Sequence, residues 1–310
     1  MNIFNSLDDL PENHSSSSIT IGNFDGIHQG HIKLLKKTIK LAEEHNTIPV
    51  VLTFNPMPEE YFQNINFFRL MSNTTKIKFF KEYGMKETIL IPFNKEFSKI
   101  DEKSFIDKVL IRNLNAKHII IGSDFKFGHK RVGDVELLKS YGGNQGIEVK
   151  TISLVEASNK KISSTSIRKL LISGKVSEAN SFLGKPFTIG GKVIHGEKLG
   201  RELGYPTANI EICKSYPING IFLVEVLYKN SEKFYGLASI GNKPTFSGTN
   251  DVLEVYIFDF NTDIYGQTIE VVLLEKIRDQ IKFNTKEELM NQMNEDHSLA
   301  LNILRKKNEL

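Results

Sequence analysis

Two kinds of hydrophobic pattern divide the chain. Up to about residue 183, short apolar runs rich in β-branched residues alternate with segments whose apolar positions recur every three or four residues. Beyond it, short strand-like runs follow one another, separated by turns that contain Gly, Asn or Pro. The first pattern predicts an α/β domain with a parallel sheet covered on both faces, and the second an antiparallel sheet or small β-barrel. We therefore expect two domains, 1–183 and 184–310.

The first domain is predicted to contain five buried strands and several helices. Each strand is an apolar run of about five to seven residues, and each helix has apolar positions on one side. The predicted strands are 18–22, 48–54, 88–92, 118–122 and 147–152, and the predicted helices are 30–45, 74–83, 104–112, 166–173 and 176–183.

The second domain is predicted to be a sheet closed by one helix. The segment 241–246 (GNKPTF) is expected to be a loop, because it is rich in turn residues. Thr285 and Glu288 have the spacing of a capping box, which predicts the start of a helix over 285–305. The predicted strands are 187–194, 221–227, 234–240, 252–260 and 268–274.

Composition and charge exclude several classes of protein. The 310 residues carry a formal net charge of +3, without the basic stripe that is typical of nucleic-acid binders, so no nucleic-acid partner is expected. Cys213 is the only cysteine, which leaves no internal disulfide or Cys-based zinc site, and we interpret it as a small apolar residue of the core. No signal peptide or apolar run of membrane-spanning length occurs, so a cytoplasmic protein without a membrane partner is expected.

The most informative segment is 22–31 (GNFDGIHQGH), which follows a predicted strand and opens a predicted helix. Ligands of open α/β sheets bind at the carboxyl ends of the strands, and a helix N-terminus there favours phosphate. His28 and His31 are three residues apart, so both side chains can reach one ligand and stabilise negative charge. The strand–Gly–helix context favours a phosphate site over two histidines in a surface turn.

A second segment, 161–168 (KISSTSIR), also precedes a predicted helix. The hydroxyls of Ser163, Ser164 and Thr165 can cap that helix or bind phosphate, and Arg168 one turn later adds a fork of donors. Taken alone, the segment is more typical of ordinary helix capping.

The start of the second domain, 190–209, is dense in glycine. Its spacing is not that of a Walker A loop, but Gly196 and Gly200 permit close approach of the backbone to a nucleotide. Thr207 and Asn209 share one face of a strand and offer neutral oxygens, which suit Mg²⁺ held by ATP phosphates. A glycine-rich hairpin explains the segment equally well.

One acidic residue of the second domain has the position of a base. If Val255 and Ile257 face the core, Glu254 and Tyr256 face the other way. A strand glutamate on a surface is usually solvated, whereas a kinase needs one carboxylate near the acceptor hydroxyl.

These motifs together resemble the bacterial bifunctional riboflavin kinase/FAD synthetase family. Four segments are similar to the adenylyltransferase half of that family, namely 22–31, 53–58 (TFNPMP), 121–128 (IGSDFKFG) and 161–168. Segments similar to the kinase half are 190–209, 220–222, 241–246, 254–256, 264–266 and 277–283.

The resemblance implies a Rossmann-like nucleotidyltransferase domain followed by a small β-barrel kinase domain with a C-terminal helix. The implied enzyme is a transferase that phosphorylates riboflavin to FMN and adenylylates FMN to FAD, with ATP as substrate and Mg²⁺ as cofactor. It implies Glu254 as the base of the kinase and His28, His31 and Arg168 as catalytic groups of adenylyl transfer. The binding residues it implies are Gly22, Phe24, Asp25, Gly30, Ser164, Thr165, Gly196, Gly200, Arg201 and Pro206 for ATP, Asp124, Phe125, Arg278 and Phe283 for flavin, and Thr207 and Asn209 for the metal.

Two positions depart from the family pattern. Met57 stands where the family usually has His, and a thioether cannot donate a hydrogen bond as imidazole does. Tyr256 stands where the family often has His.

Met57 motivates a second hypothesis, a riboflavin kinase with an impaired adenylyltransferase domain. A nucleotidyltransferase for a different phosphorylated acceptor, a class I aminoacyl-tRNA synthetase and a nucleic-acid-binding barrel are further hypotheses, which the motifs and the charge favour less.

Overall fold

The computed structural model divides the chain into two compact units, Met1–Ser164 and Thr165–Leu310. In the part of the chain that it describes, no helix is both long and apolar enough to cross a bilayer. The described residues are 1–63, 69–153, 156–157, 160–196, 204–212, 216–229, 232–245 and 248–307.

The strands of the first unit are β1 (Asn2–Phe4), β2 (Ser17–Ile21), β3 (Ile48–Phe54), β4 (Glu87–Ile91), β5 (Ala116–Gly122), β6 (Lys126–Phe127), β7 (Gly133–Asp134), β8 (Glu148–Ile152), β9 (Glu156–Ala157) and β10 (Lys160–Lys161). Six of them form a parallel sheet with the order β1-β4-β3-β2-β5-β8. Two small two-stranded ladders, β6 with β7 and β9 with β10, lie outside it.

Helices cover both faces of this sheet, as the continuous apolar strands predict. These helices are α1 (Gln29–His45), α2 (Pro58–Gln63), α3 (Asn73–Glu82), α4 (Glu102–Ser104, continued as Phe105–Asn113) and α5 (Val135–Leu137, continued as Leu138–Gly142). Val51 and Ile120 pack with helices α1 and α3, whereas their neighbours Val50 and Ile119 pack with α4 on the opposite face.

The second unit begins with two helices and continues as a strand-rich domain. Its elements are α6 (Ser164–Ile172, whose first residue belongs to the first unit), α7 (Val176–Leu183), β11 (Phe187–Ile194), β12 (Thr207–Glu211), β13 (Gly220–Tyr228), β14 (Glu232–Thr245), β15 (Gly248–Ile257), β16 (Thr268–Arg278) and α8 (Lys286–Lys306). The six strands form a closed antiparallel barrel with the order β11-β12-β15-β14-β13-β16.

Helix α8 packs on the outside of the barrel through Ala300 and Leu304, which contact Leu223 and Leu237. Its predicted N-terminal cap is present, since Thr285 Oγ1 accepts a hydrogen bond from Glu288 N at 3.1 Å. The return bond differs from an ideal capping box, because the Glu288 carboxylate accepts from Asn284 N.

The predicted fold class is confirmed: a parallel α/β domain is followed by a small antiparallel barrel with a C-terminal helix. One local prediction was wrong. Segment 241–246 was expected to be a loop, but β14 extends through it to Thr245 and pairs with β15 as far as Thr245 and Gly248. The ladder supplies partners for the backbone groups, so the turn residues do not end the strand there.

A buried ion pair lies at the amino-terminal edge of the parallel sheet. His14 Nε2 is 2.9 Å from Glu87 Oε2, and both residues are buried. The hydrogen bond with Glu87 raises the pKa of His14 above its ordinary value. Protonated His14 therefore stabilises the fold at low pH, and this contribution disappears as the pH rises through the raised pKa.

Glu87→Gln should lower the free energy of unfolding by about 1–3 kcal/mol at pH 6, and this loss should shrink as the pH rises through the raised pKa of His14, because neutral His14 interacts with an amide about as well as with a carboxylate. Urea denaturation at a series of pH values from 6 upward measures the change. The surface pair Lys139–Glu136 supplies a control, and Glu136→Gln should change little at any of these pH values. A loss for Glu87→Gln that does not vary with pH would contradict the assignment.

Candidate active sites

In the first unit, three motif segments follow three adjacent strands of the parallel sheet. Segment 22–31 follows β2, segment 53–58 runs past the end of β3, and segment 121–128 runs past the end of β5. Because the carboxyl ends of parallel strands lie at one edge, the three motifs gather there. The peptide bond between Asn55 and Pro56 is cis.

A tight turn connects β2 to α1 and presents the two histidines. Phe24, Gly26 and Ile27 have φ angles of 51°, 81° and 43°. This brings His28 to the N-cap of α1 in an extended conformation, with His31 in the first turn of the helix. The two imidazole rings are stacked, with centroids 3.7 Å apart, and the Phe24 ring lies 5.0 Å from that of His31.

Asp25 holds the turn rather than facing solvent. Its carboxylate is buried and accepts hydrogen bonds from the backbone N–H groups of Leu70 and Met71 at 3.0 and 3.2 Å. The Asp25 carbonyl accepts a bond from Ser164 Oγ at 2.8 Å, which brings one predicted phosphate-binding hydroxyl to the turn. Thr165 and Arg168 lie on α6 in the second unit, where Thr165 is exposed and Arg168 half-buried.

The two predicted flavin residues that follow β5 have different surroundings. Asp124 is exposed and pairs with Lys161, 2.6 Å away. Phe125 stacks on Phe127 with ring centroids 5.6 Å apart, and it lines a pocket of about 260 Å³. That volume is below the usual range for a small-molecule site.

Met57 is buried, with 1% of its surface exposed. Its backbone N–H donates to Glu60 Oε2 at 2.9 Å, and Glu60 forms a nearly buried ion pair with Arg69. The departure from the family pattern therefore lies in a loop that is held through its main chain.

A buried lysine beside this site was not predicted from the sequence. Lys76 of α3 is 2% exposed, and its Nζ donates to the Asn23 carbonyl at 3.1 Å and to Thr53 Oγ1 at 3.2 Å. Burial lowers the pKa of Lys76 to about 8, and the nearby Arg69 cation acts in the same direction. Its position four residues before the core residue Phe80 is the signal that could have found it, since positions i and i+4 share one helix face.

In the second unit, strand register brings the predicted metal and base residues together. Asn209 on β12 is directly opposite Glu254 on β15, and Thr207 is opposite Tyr256. Opposite residues of an antiparallel pair point to the same face. Val255 is fully buried and Glu254 half-buried, as the alternation predicts.

Gly196 lies against Asn209 so closely that a Cβ at that position would overlap the amide group of Asn209. A larger residue at this position would force the Asn209 side chain to move. Pro206 is exposed at the start of β12. The predicted nucleotide-binding residues Gly200 and Arg201, and also Cys213, lie outside the described residues.

Arg278, a predicted flavin residue, is fixed by the C-terminal helix. Its Nε and one terminal nitrogen donate to the buried carboxylate of Asp296 at 2.8 and 2.7 Å. The guanidinium carbon lies 5.9 Å from the centre of the Phe283 ring, so the two predicted flavin residues are neighbours. Gln280, which donates to Ser239 Oγ at 3.2 Å, is a further residue here that the sequence did not single out.

The fold is that of a nucleotidyltransferase-like α/β unit followed by a kinase-like barrel. The family model described as FAD synthetase matches residues 10–166, and that described as riboflavin kinase matches residues 183–304. The chain belongs to the family of bifunctional riboflavin kinase/FMN adenylyltransferases.

Relatives match over nearly the whole chain. A bifunctional riboflavin kinase/FMN adenylyltransferase from Buchnera aphidicola subsp. Schizaphis graminum is 42% identical over 96% of each chain. The protein of that name from Escherichia coli K12 is 36% identical over 91% of each chain. A crystal structure described as a macrolide-efflux protein from Streptococcus pneumoniae has a TM-score of 0.85 and 34% identity, covering 97% of this chain and 98% of that one.

The lowered pKa of Lys76 has a consequence for stability. Between its folded pKa of about 8 and its unfolded value of 10.5, the unfolded state binds more protons, so stability rises with pH. Between about pH 7 and about pH 10, the free energy of unfolding of the parent should therefore rise by about 2–3 kcal/mol more than that of Lys76→Met. Lys78→Met, on the exposed side of the same helix, should keep the pH slope of the parent. Parallel pH profiles for the parent and Lys76→Met would be evidence against the assignment.

Proposed function

We propose that the barrel transfers the γ-phosphoryl group of ATP to riboflavin, and that the α/β unit transfers the adenylyl group of a second ATP to the resulting FMN. The products are FMN and ADP, then FAD and pyrophosphate. The observation that carries the proposal is that each unit brings its separate motifs to one place, the strand ends around His28 and His31 in one and the β12–β15 pair in the other. Both family matches and the bifunctional relatives agree with it.

In the kinase step, Glu254 accepts the proton of the ribityl hydroxyl as its oxygen attacks the γ-phosphorus, and ADP leaves. The carboxylate lies directly across the ladder from Asn209, so acceptor and nucleotide can meet on one face of the β12–β15 pair. Arg278 and Phe283 flank the flavin. The bond between Arg278 and Asp296 leaves this guanidinium in a fixed position, which favours an ordered flavin site.

The hydroxyl of Thr207 and the amide oxygen of Asn209 fit Mg²⁺, which prefers hard oxygen ligands. The Asn209 amide packs against Gly196 and lies across the ladder from the proposed base. When it is bound with ATP, Mg²⁺ supplies positive charge that neutralises the phosphates. Gly196, Gly200, Arg201 and Pro206 belong to the same proposed nucleotide site.

In the adenylyl step, an oxygen of the FMN phosphate attacks the α-phosphorus and pyrophosphate leaves, without a covalent enzyme intermediate. His28 and His31, at the positive end of α1, stabilise the charge on the leaving group. Ser164, whose hydroxyl reaches the turn, is proposed to bind the same phosphates. Thr165 and Arg168 keep the phosphate-binding role that the family resemblance implies. Gly22, Phe24, Asp25 and Gly30 shape the turn, and Asp124 and Phe125 are proposed to contact the flavin.

Glu254→Gln should lower riboflavin kinase activity by at least about a hundredfold, because an amide cannot take the proton. FAD synthesis from supplied FMN should stay near the parent rate, since that site is in the other unit. Chromatography of assays with riboflavin or FMN, each with Mg-ATP, separates the two activities. Glu211→Gln, an exposed carboxylate on β12, is the matched control. Unchanged kinase activity in Glu254→Gln would refute the role of the base.

His31→Ala should slow FAD synthesis from FMN by about a hundredfold or more, because one donor to the departing phosphates is lost. FMN synthesis from riboflavin should be spared. His129→Ala, an exposed histidine of the same unit, controls for general effects of the substitution. FAD synthesis at the parent rate in His31→Ala would eliminate this role, whereas no FAD synthesis by the parent would favour a riboflavin kinase with an impaired adenylyltransferase domain.

A further inference from the structure

A group of side chains that could bind a metal ion lies at the opposite edge of the parallel sheet. His118 is near the start of β5, Glu148 is the first residue of β8, and His45 is the last residue of α1. His118 and Glu148 are register partners in adjacent strands. One ligand atom from each of the three side chains lies within 4.8 Å of the other two.

The spacing of these atoms suits a shared metal ion. His118 Nε2 is 3.7 Å from Glu148 Oε2, which is too long for a hydrogen bond. Two ligands on a tetrahedral zinc ion are roughly 3.3 Å apart, given metal–ligand bonds of about 2.0–2.1 Å. The His45 and His118 rings are adjacent, with centroids 4.3 Å apart. His45 and Glu148 are exposed, so their side chains can change rotamer and bring the ligand atoms closer together.

The buried histidine is oriented as a metal ligand. His118 Nδ1 and Ser18 Oγ are 3.0 Å apart, and Ser18 Oγ is 2.6 Å from Thr47 Oγ1. This hydrogen-bonded chain occupies one ring nitrogen and directs Nε2 toward Glu148, as outer partners of metal-bound histidines do.

The electrostatic surroundings include one favourable and one opposing group. The C-terminus of α1 carries partial negative charge, which stabilises a cation beside His45. Lys150 pairs with Glu148 Oε1, and its positive charge repels a metal cation. The other carboxylate oxygen, Oε2, lies on the side of His118. The exposed side of the cluster gives room for water as a fourth ligand.

We propose that His45, His118 and Glu148 form a surface site for a divalent transition-metal ion of the Zn²⁺ type, which joins the end of α1 to the starts of β5 and β8. Two imidazoles and one carboxylate select such an ion over Mg²⁺, which prefers oxygen ligands alone. The site uses none of the residues proposed for ATP or flavin.

The test uses the full chain after treatment with a chelator. Co²⁺ titration should give the intense visible absorption of a tetrahedral site, and Zn²⁺ should displace it. His45→Gln and Glu148→Gln should each weaken Zn²⁺ binding by at least about tenfold and abolish the tetrahedral spectrum. Both residues are exposed, so these variants should fold. Zn²⁺ should also raise the Tm of the parent but not that of the two variants.

Two controls make the result specific. Glu44→Gln removes the carboxylate next to His45 and should bind Co²⁺ like the parent. His31→Ala removes the other close pair of histidines and should keep the tetrahedral spectrum. The proposal is overturned if the parent gives no tetrahedral Co²⁺ spectrum, if His45→Gln and Glu148→Gln bind as tightly as the parent, or if the spectrum is lost in His31→Ala.

Discussion

The turn between β2 and α1 is the constraint on which the α/β unit depends. Phe24 and Ile27 both have a left-handed backbone, which costs roughly 1–3 kcal/mol for each non-glycine residue. Both side chains are fully buried, and burial of a large apolar side chain contributes about 1.5–3 kcal/mol. The core therefore offsets the strain, and Asp25 fixes the turn through the N–H groups of Leu70 and Met71. His28 and His31 owe their position to this arrangement.

A different constraint acts in the barrel, where the strand register decides which side chains meet. The period of a strand is two residues, so a slip of one position would turn Glu254 away from Asn209. The register is secured by the fully buried Leu253 and Val255 on the other face. The Asn209 amide also packs closely against Gly196, where a larger residue would displace the amide. Apolar packing on one face of the β12–β15 pair thus determines which polar side chains face one another on the other.

The sequence predicted what depends on local pattern and motif. Periodicity indicated the barrel strands β11, β13, β14, β15 and β16, and the cap at Thr285 was visible from spacing. Two features were not predictable in this way. The strand at 241–245 depends on pairing with a partner strand, which overrides the turn residues. The environment of Lys76 depends on the Asn23 carbonyl, which is 53 positions away in sequence.

The position of Met57 shows how a side chain can change while a loop keeps its geometry. The resemblance to the family leads one to expect an imidazole here, and a thioether lacks its hydrogen bonds. The hydrogen bond that anchors this loop to Glu60, however, comes from the backbone N–H of Met57, which every residue except proline supplies. Glu60 is in turn held by Arg69. The substitution therefore removes one possible ligand contact but leaves the main-chain anchor of the loop in place.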